Sequence, residues 1–327
     1  MIFLGSIPSA VTGAVLALIG FCVGVIGGFF GIGGGFLVTP ALNIMGFPMV
    51  RAIGTDLAHI TGKYMVVVIR HWKLGHVDCR AGCLLLAGTL PGVRLGTVAV
   101  MKLEGLGLTE TVVRLVYIAF LTVIGVLVLR ESIIARQKDE PDGSQALLRR
   151  RFLIRPLTSL KASGIERISV WGIIGLGLLT GFLASFLGVG GGFIRVPAML
   201  YLIGMPTRMA VGTGPASVLF TVGYGTFLYA QQGHVDVIAA LIMVIGASAG
   251  SQLGAHATKY AASSRIRFYL GVTILGGALA VTAKQLGMAG VSAGILFALG
   301  VSLTAIILRG LWEGWKNEQS TVKAEVI

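Results

Sequence analysis

Apolar residues in this chain do not alternate with polar ones; they come in long runs, and the polar residues collect between them. Runs at 9–30, 53–70, 81–101, 112–130, 169–187, 210–230, 237–256, 266–283 and 288–309 stand out. Each comes close to or exceeds the roughly 20 residues that one helix needs to cross a bilayer core about 30 Å thick. Two more apolar pieces, 34–46 and 192–203, are too short to cross comfortably, and each follows a cluster of glycines. The pattern predicts an all-α, polytopic integral membrane bundle. Composition agrees: of 327 residues, 55% are hydrophobic and only 12% charged, with a mean hydropathy of +0.89. The opening stretch, MIFLGSIPSAVTGAV, has no Lys or Arg, so it reads as a retained first helix and not as a signal peptide.

The formal charge of +13 raises the question of nucleic acid. The basic residues lie in the connections between apolar runs, without an interleaved aromatic platform, so no nucleic-acid partner is expected. A cytoplasmic loop bias accounts for them better. Cys22, Cys79 and Cys83 form an odd set with no metal-type spacing, which predicts neither a disulfide framework nor a metal site. No cofactor motif and no ATP-binding motif is present, because no Gly-Lys-Ser/Thr follows the glycines. No nucleophile, base or metal cluster assembles in the sequence, so an enzyme is not expected.

The chain is duplicated. At a shift of 157 positions GIGGGF (31–36) falls on GVGGGF (188–193) and Pro40 on Pro197. One inserted residue makes the shift 158, at which Gly46, Pro48, Gly54 and Thr55 meet Gly204, Pro206, Gly212 and Thr213, and GHVD (75–78) meets GHVD (233–236). Gly88, Gly92 and Gly96 then meet Gly246, Gly250 and Gly254. Internal repeats of this length are common among secondary transporters. Equivalent connections carry opposite charge bias. RHWKLGHVDCR (70–80) is basic, while QQGHVD (231–236) lacks Lys and Arg; at the next connection the order reverses. By the positive-inside rule the copies are inverted.

The expected layout is a first transmembrane repeat at 1–130, a basic cytoplasmic loop at 131–168, a second inverted repeat at 169–283, and an additional C-terminal helix with a cytoplasmic tail at 284–327. Counting crossings back from the central loop places the N-terminus outside. The loop itself reads as a solvated basic linker near anionic headgroups.

Glycine costs about 1 kcal/mol in a helix interior relative to alanine, so consecutive glycines followed by an apolar turn signal a helix break. In lipid such a break survives only where it is buried in protein or lines a watery cavity. The helix that restarts after it directs free N–H groups and a positive dipole end at the break, and anions bind such ends. Pro40 and Pro197, inside the restarted helices, predict a second interruption in each. Two readings follow for Gly33, Gly34, Gly35 and Gly190, Gly191, Gly192: close packing by small residues, or packing together with a substrate site near the midplane.

Asp56, His59 and Lys63 share one helix face, and charged groups in such a helix belong toward the bundle interior or water. Their repeat counterparts are Gly214, Ser217 and Thr221. Asp56 fits a helix N-cap, because Gly214 precedes Pro215 in the other copy; Asp56 and His59 also fit a proton relay, and Ser217 a substrate contact. Arg94 lies midway along 81–101, with Gln252 as its counterpart, and offers an oxyanion a rigid fork of donors or pairs structurally with Asp56 or with backbone carbonyls. Arg195, just past Gly192, suits either an anion or a headgroup. Thr55 and Thr213 fit a cap or a substrate contact equally. In GHVD, Gly75 and Gly233 end one helix while Asp78 and Asp236 cap the next.

The doubled GxGGGF with its following proline, the basic central loop and the repeated GT helix start resemble the TauE/SafE family of sulfite and organosulfonate exporters. The resemblance covers roughly 11–283 and rests on Gly31, Gly33, Gly34, Gly35 and Pro40 with Gly188, Gly190, Gly191, Gly192 and Pro197. It implies export of a small sulfur-containing oxyanion, such as sulfite or sulfoacetate, across a bacterial inner membrane. The reading for the whole chain is a secondary transporter working by alternating access, with a passive anion channel as the alternative. Expected partners are the anion and the lipid bilayer, and a homodimer is compatible with the sequence.

Overall fold

The computed structural model describes residues 10–30, 34–73, 75, 77–137, 155–261 and 263–325. The elements are α1 (Ala10–Phe30), α2 (Gly35–Ile44), α3 (Met49–Lys73), α4 (Cys79–Gly105), α5 (Thr109–Gln137), β1 (Leu157–Leu160), β2 (Ile165–Ser169), α6 (Val170–Leu187), α7 (Gly192–Ala198), α8 (Thr207–Ala230), α9 (Val237–Ala257), α10 (Ser263–Gln285) and α11 (Ala289–Glu325). Seven of these, α1, α4, α5, α6, α9, α10 and α11, are long and apolar enough to cross a membrane. Helices α3 and α8 have the length to cross but bury Thr55, Asp56, His59, Lys63, Thr213, Ser217 and Thr221. Helix starts repeat at the sequence shift: Gly35 and Gly192, then Met49 and Thr207, then Cys79 and Val237.

The residues form two compact units that cut across the repeats. One holds Gly46–Val113 and the described part of Glu140–Leu241; the other holds the described parts of Pro8–Met45, Arg114–Asp139 and Ile242–Ile327. In the first, α4 packs most closely on α6. A Cβ at Gly88 would collide with the Ile174 carbonyl, one at Gly92 with Leu178, and one at Gly181 with the carbonyl of Thr89. Small residues allow this backbone approach, the usual basis of helix association in lipid. The second unit repeats the device: Gly20, Gly24 and Gly28 of α1 meet the backbone of α9, whose Gly246, Gly250 and Gly254 meet α1. Each pair joins a helix of one repeat to a helix of the other.

The glycine breaks differ in detail. Gly34 and Gly191, equivalent by the repeat, both adopt the left-handed conformation (φ 70° and 73°) that β-carbon-bearing residues avoid. Helix α2, 10 residues or about 15 Å long, then runs unbroken through Pro40. The second interruption expected there does not occur: proline frees the Phe36 carbonyl, and the Tyr117 hydroxyl donates to it at 3.0 Å. In the other copy the helix does change after Pro197, into a π-helical turn at Met199–Ile203. Gly31 and Gly33 lie outside the described residues, as do His76 and 138–154.

GHVD behaves as punctuation. Gly75 and Gly233 have φ of 68° and 75°, and the carboxylates of Asp78 and Asp236 accept from the N–H groups of Ala81 and Ala239 at 3.0 and 2.9 Å. Thr55 and Thr213 complete both turns reciprocally. The Asp78 N–H donates to the Thr213 hydroxyl at 2.8 Å, and the Asp236 N–H to that of Thr55 at 3.0 Å. Thr55→Val and Thr213→Val should each cost ~1–2 kcal/mol by leaving a buried N–H unpaired; thermal unfolding of the purified protein measures this.

The end of the central connection is not a solvated linker. Antiparallel β1 and β2 form a hairpin whose Leu160 and Ile165 are buried with Ala81, Leu85, Ile173, Met199, Ile203, Met205 and Ala210. At its tip the Ser163 hydroxyl donates to Asp78 at 2.6 Å. The hairpin forms because Leu160 and Ile165 flank a Lys-Ala-Ser-Gly turn closed by Gly164 at φ 67°, which puts both side chains on one apolar surface.

Candidate functional site

The α6–α7 break leads directly into Arg195, which is 0% exposed and the largest fully buried side chain. Its amide donates to Gly191 at 3.0 Å, which fixes the first turn of α7. Its guanidinium is held by four hydroxyls from three other helices. Nε and Nη2 donate to Thr180 (3.2 and 2.9 Å), Nη1 to Ser217 and Thr221 (both 3.0 Å), and Nη2 to Thr89 (3.2 Å). All five donors of the fork are used.

The hydroxyls accept because their own protons are committed to backbone carbonyls: Thr89 to Gly177 (3.2 Å), Thr180 to Leu176 (2.7 Å), Ser217 to Gly214 (2.8 Å) and Thr221 to Ser217 (2.7 Å). Every acceptor is neutral. Among the described residues no carboxylate reaches Arg195, so its hydrogen bonds are satisfied and its charge is not. A buried charge in that condition is costly and attracts an anion.

Helix α3 supplies the neighbouring stripe. Asp56 and His59 are 0% exposed and Lys63 6%. His59 Nδ1 sits 3.3 Å from Asp56 Oδ1, and the Lys63 ammonium is in electrostatic contact with the Asp56 carboxylate. His59 Nε2 is buried without a hydrogen-bond partner among the described residues. One position on, Ile60 lies where a Cβ on Gly190 would touch it, and Tyr64 is in electrostatic contact with Arg195. At the repeat shift His59 and Lys63 correspond to Ser217 and Thr221, the two residues that hold Nη1.

The structure brings Gly190, Gly191, Gly192, Ser217, Asp56 and His59 into this one unit. Gly34 and Gly35 belong to the other unit, where a Cβ on Gly34 would meet the Val23 carbonyl. Asp56 is not an N-cap, since α3 begins at Met49. Arg94 and Gln252 are exposed: Val93 and Thr97 take the inward face of α4, which turns Arg94 outward and away from the hydroxyl cage. Thr89, Thr180 and Thr221 carry no sequence signal of their own that marks them for a site. The available signal was the copy difference, an arginine in one repeat where the other has Val38. The second unit contains a cavity of about 160 Å³ lined by Leu18, Cys22, Leu37, Ala41, Phe297 and Val301, an apolar lining with nothing to hold an anion.

Seven apolar spans and a buried, broken-helix polar centre fit a multi-pass membrane transporter. The chain belongs to the family described as Sulfite exporter TauE/SafE, whose sequence model matches residues 15–281. It is 32% identical over 255 residues to a probable membrane transporter protein of Xylella fastidiosa (strain 9a5c), covering 76% of this chain and 85% of that one. It is 25% identical over 263 residues to the probable membrane transporter protein YjnA of Bacillus subtilis (strain 168), covering 80% and 96%. A probable membrane transporter protein of Methanocaldococcus jannaschii is 26% identical over 286 residues, covering 80% and 92%. No solved structure matches the chain.

Proposed function

We propose that the protein is a secondary transporter that exports a small sulfur-containing oxyanion, sulfite, sulfoacetate or a related organosulfonate, across the bacterial inner membrane by alternating access. The observation that carries this reading is Arg195, a buried cation all of whose acceptors are neutral hydroxyls. An oxyanion exchanges those acceptors for charged oxygens, and charge-assisted hydrogen bonds are roughly twice as strong as neutral ones. In this conformation the fork is fully occupied by hydroxyls of the protein.

The reciprocal Thr55–Asp236 and Thr213–Asp78 contacts support a two-fold relation between the repeats, since such symmetry makes each contact occur twice with the partners exchanged. Combined with the reversed loop charge it supports inverted topology, with the N-terminus outside and the central loop and C-terminus cytoplasmic. Gly190–Gly192, Ser217 and Arg195 serve the anion; Asp56 and His59 are the groups placed to carry a proton. An inside-negative potential alone also drives an anion outward.

Flux of labelled sulfite and sulfoacetate from proteoliposomes, with the pH gradient and the potential set separately, tests the reading. Saturable flux with alternate-side exchange supports it. Unsaturated conductance identifies a passive anion channel, and absence of flux for every sulfur oxyanion removes the substrate class.

A further inference from the structure

Among the described residues the buried charges around the break do not balance. Arg195 and Lys63 are cationic and Asp56 is anionic, leaving one positive charge over when His59 is neutral. Asp78 is buried as well, but it lies at the start of α4, more than two turns before Thr89, with its oxygens taken by the Ala81 N–H and the Ser163 hydroxyl. Among the described residues no further buried charge lies on the elements packed against His59: α6 carries no titratable side chain, α7 carries Arg195 alone, α8 carries Tyr224, Tyr229 and Arg208, the last exposed at its first turn, and the charged residues of α4, Arg80, Arg94, Lys102 and Glu104, are exposed. On α3 itself the neighbours are Asp56, Lys63 and Tyr64.

From this we infer that the site accepts a singly charged oxyanion as it stands and a doubly charged one only together with a proton taken up on His59. The inference rests on Arg195 being the anion's partner. A single negative charge cancels the surplus of one. A second negative charge, carried into a buried site, needs another cation beside it, and His59 is the group able to become one. Its Nδ1 already faces the Asp56 carboxylate, which stabilises an imidazolium, and its Nε2 is the buried ring atom still lacking a partner, so the protonated ring gains a donor where none is spent. Arg195 and Lys63 cannot respond in this way, because both are already positive. Valence, more than shape, then decides whether transport carries a proton.

Sulfate and methanesulfonate separate the two cases, since the first is a dianion and the second a monoanion throughout the neutral range. Calorimetric titration of the purified protein near neutral pH, in buffers of differing ionisation enthalpy, counts protons directly. The expected result is one proton taken up per sulfate and none per methanesulfonate. Correspondingly, the sulfate Kd rises about tenfold per pH unit through the neutral range, as uptake of one proton per bound anion requires, while the methanesulfonate Kd stays flat. His59→Gln should abolish the sulfate slope.

Equal proton counts for the two anions in the wild type overturn the inference without recourse to any variant, and so does a sulfate slope that survives in His59→Gln. Arg195→Gln separates the layers of argument. Loss of both anions in that variant together with equal proton counts removes only the valence rule. Wild-type affinity for both removes Arg195 as the binding residue, and the rule with it.

Discussion

Arg195→Gln is expected to weaken oxyanion binding by more than about a hundredfold in Kd, roughly 3 kcal/mol, the scale on which a desolvated, hydrogen-bonded charge acts. The protein should nonetheless fold, and without anion it should unfold at a higher temperature than the wild type. The two effects have one cause. The four hydroxyls of the cage keep their own donor bonds to backbone carbonyls when the guanidinium goes, so they lose only an acceptor role. The bundle meanwhile sheds an unbalanced buried charge, a change that is often neutral or stabilising. Arg195→Lys should fall between, because a single ammonium keeps the charge but cannot span four hydroxyls as the planar fork does. Binding measured by calorimetry, and unfolding followed in detergent, report the two quantities separately. Arg94→Gln is the comparison that makes the result decisive. If that variant loses the anion and Arg195→Gln keeps it, the binding cation is the exposed one on α4 and the hydroxyl cage is structural.

Much of the molecule was legible because its signals are local. The repeat, the spans and the glycine breaks follow from which residues are adjacent in sequence, and the GHVD turns work as their chemistry requires, with a left-handed glycine followed by a capping aspartate. What could not be read depends on residues far away. Asp56 reads as a cap because Gly214 precedes Pro215 at the matching place of the other copy, whereas α3 starts seven residues earlier, at Met49. That start exists because the Met49 N–H is satisfied by the Glu110 carboxylate at 2.7 Å, 61 positions on. Arg94 was placed by depth along its run, but depth does not fix facing; one residue of rotation separates it from the inward Val93. Arg195 could be noticed from sequence as an arginine beside a break, yet its cage needs Thr89, Thr180, Ser217 and Thr221 from three helices, each individually an ordinary hydroxyl on an apolar face. The hairpin escaped because its apolar residues are few and set among charges.

Gly92→Leu is expected to destabilise the protein by about 3 kcal/mol, the upper end for overpacking, and to remove anion binding at the same time. A Cβ at Gly92 meets the carbonyl of Leu178 and the amide of Phe182 on α6. These are backbone atoms inside a helix and cannot turn aside as a side chain would. Leucine therefore pushes α4 and α6 apart, and that separation acts on the site: Thr89, one turn before Gly92, holds Arg195 and donates to Gly177 across the same contact. Immediately after Gly96, the Thr97 hydroxyl meets that of Ser185 at 2.6 Å. Gly175→Leu is the matched control, since a Cβ there meets nothing within 4 Å and leucine in place of a helical glycine gains roughly 1 kcal/mol in propensity. Close approach and ligand affinity should thus fall together in one variant and both persist in the other. A Gly92→Leu protein that unfolds like the wild type and still binds sulfate would mean that α4 and α6 need not touch for Arg195 to be held.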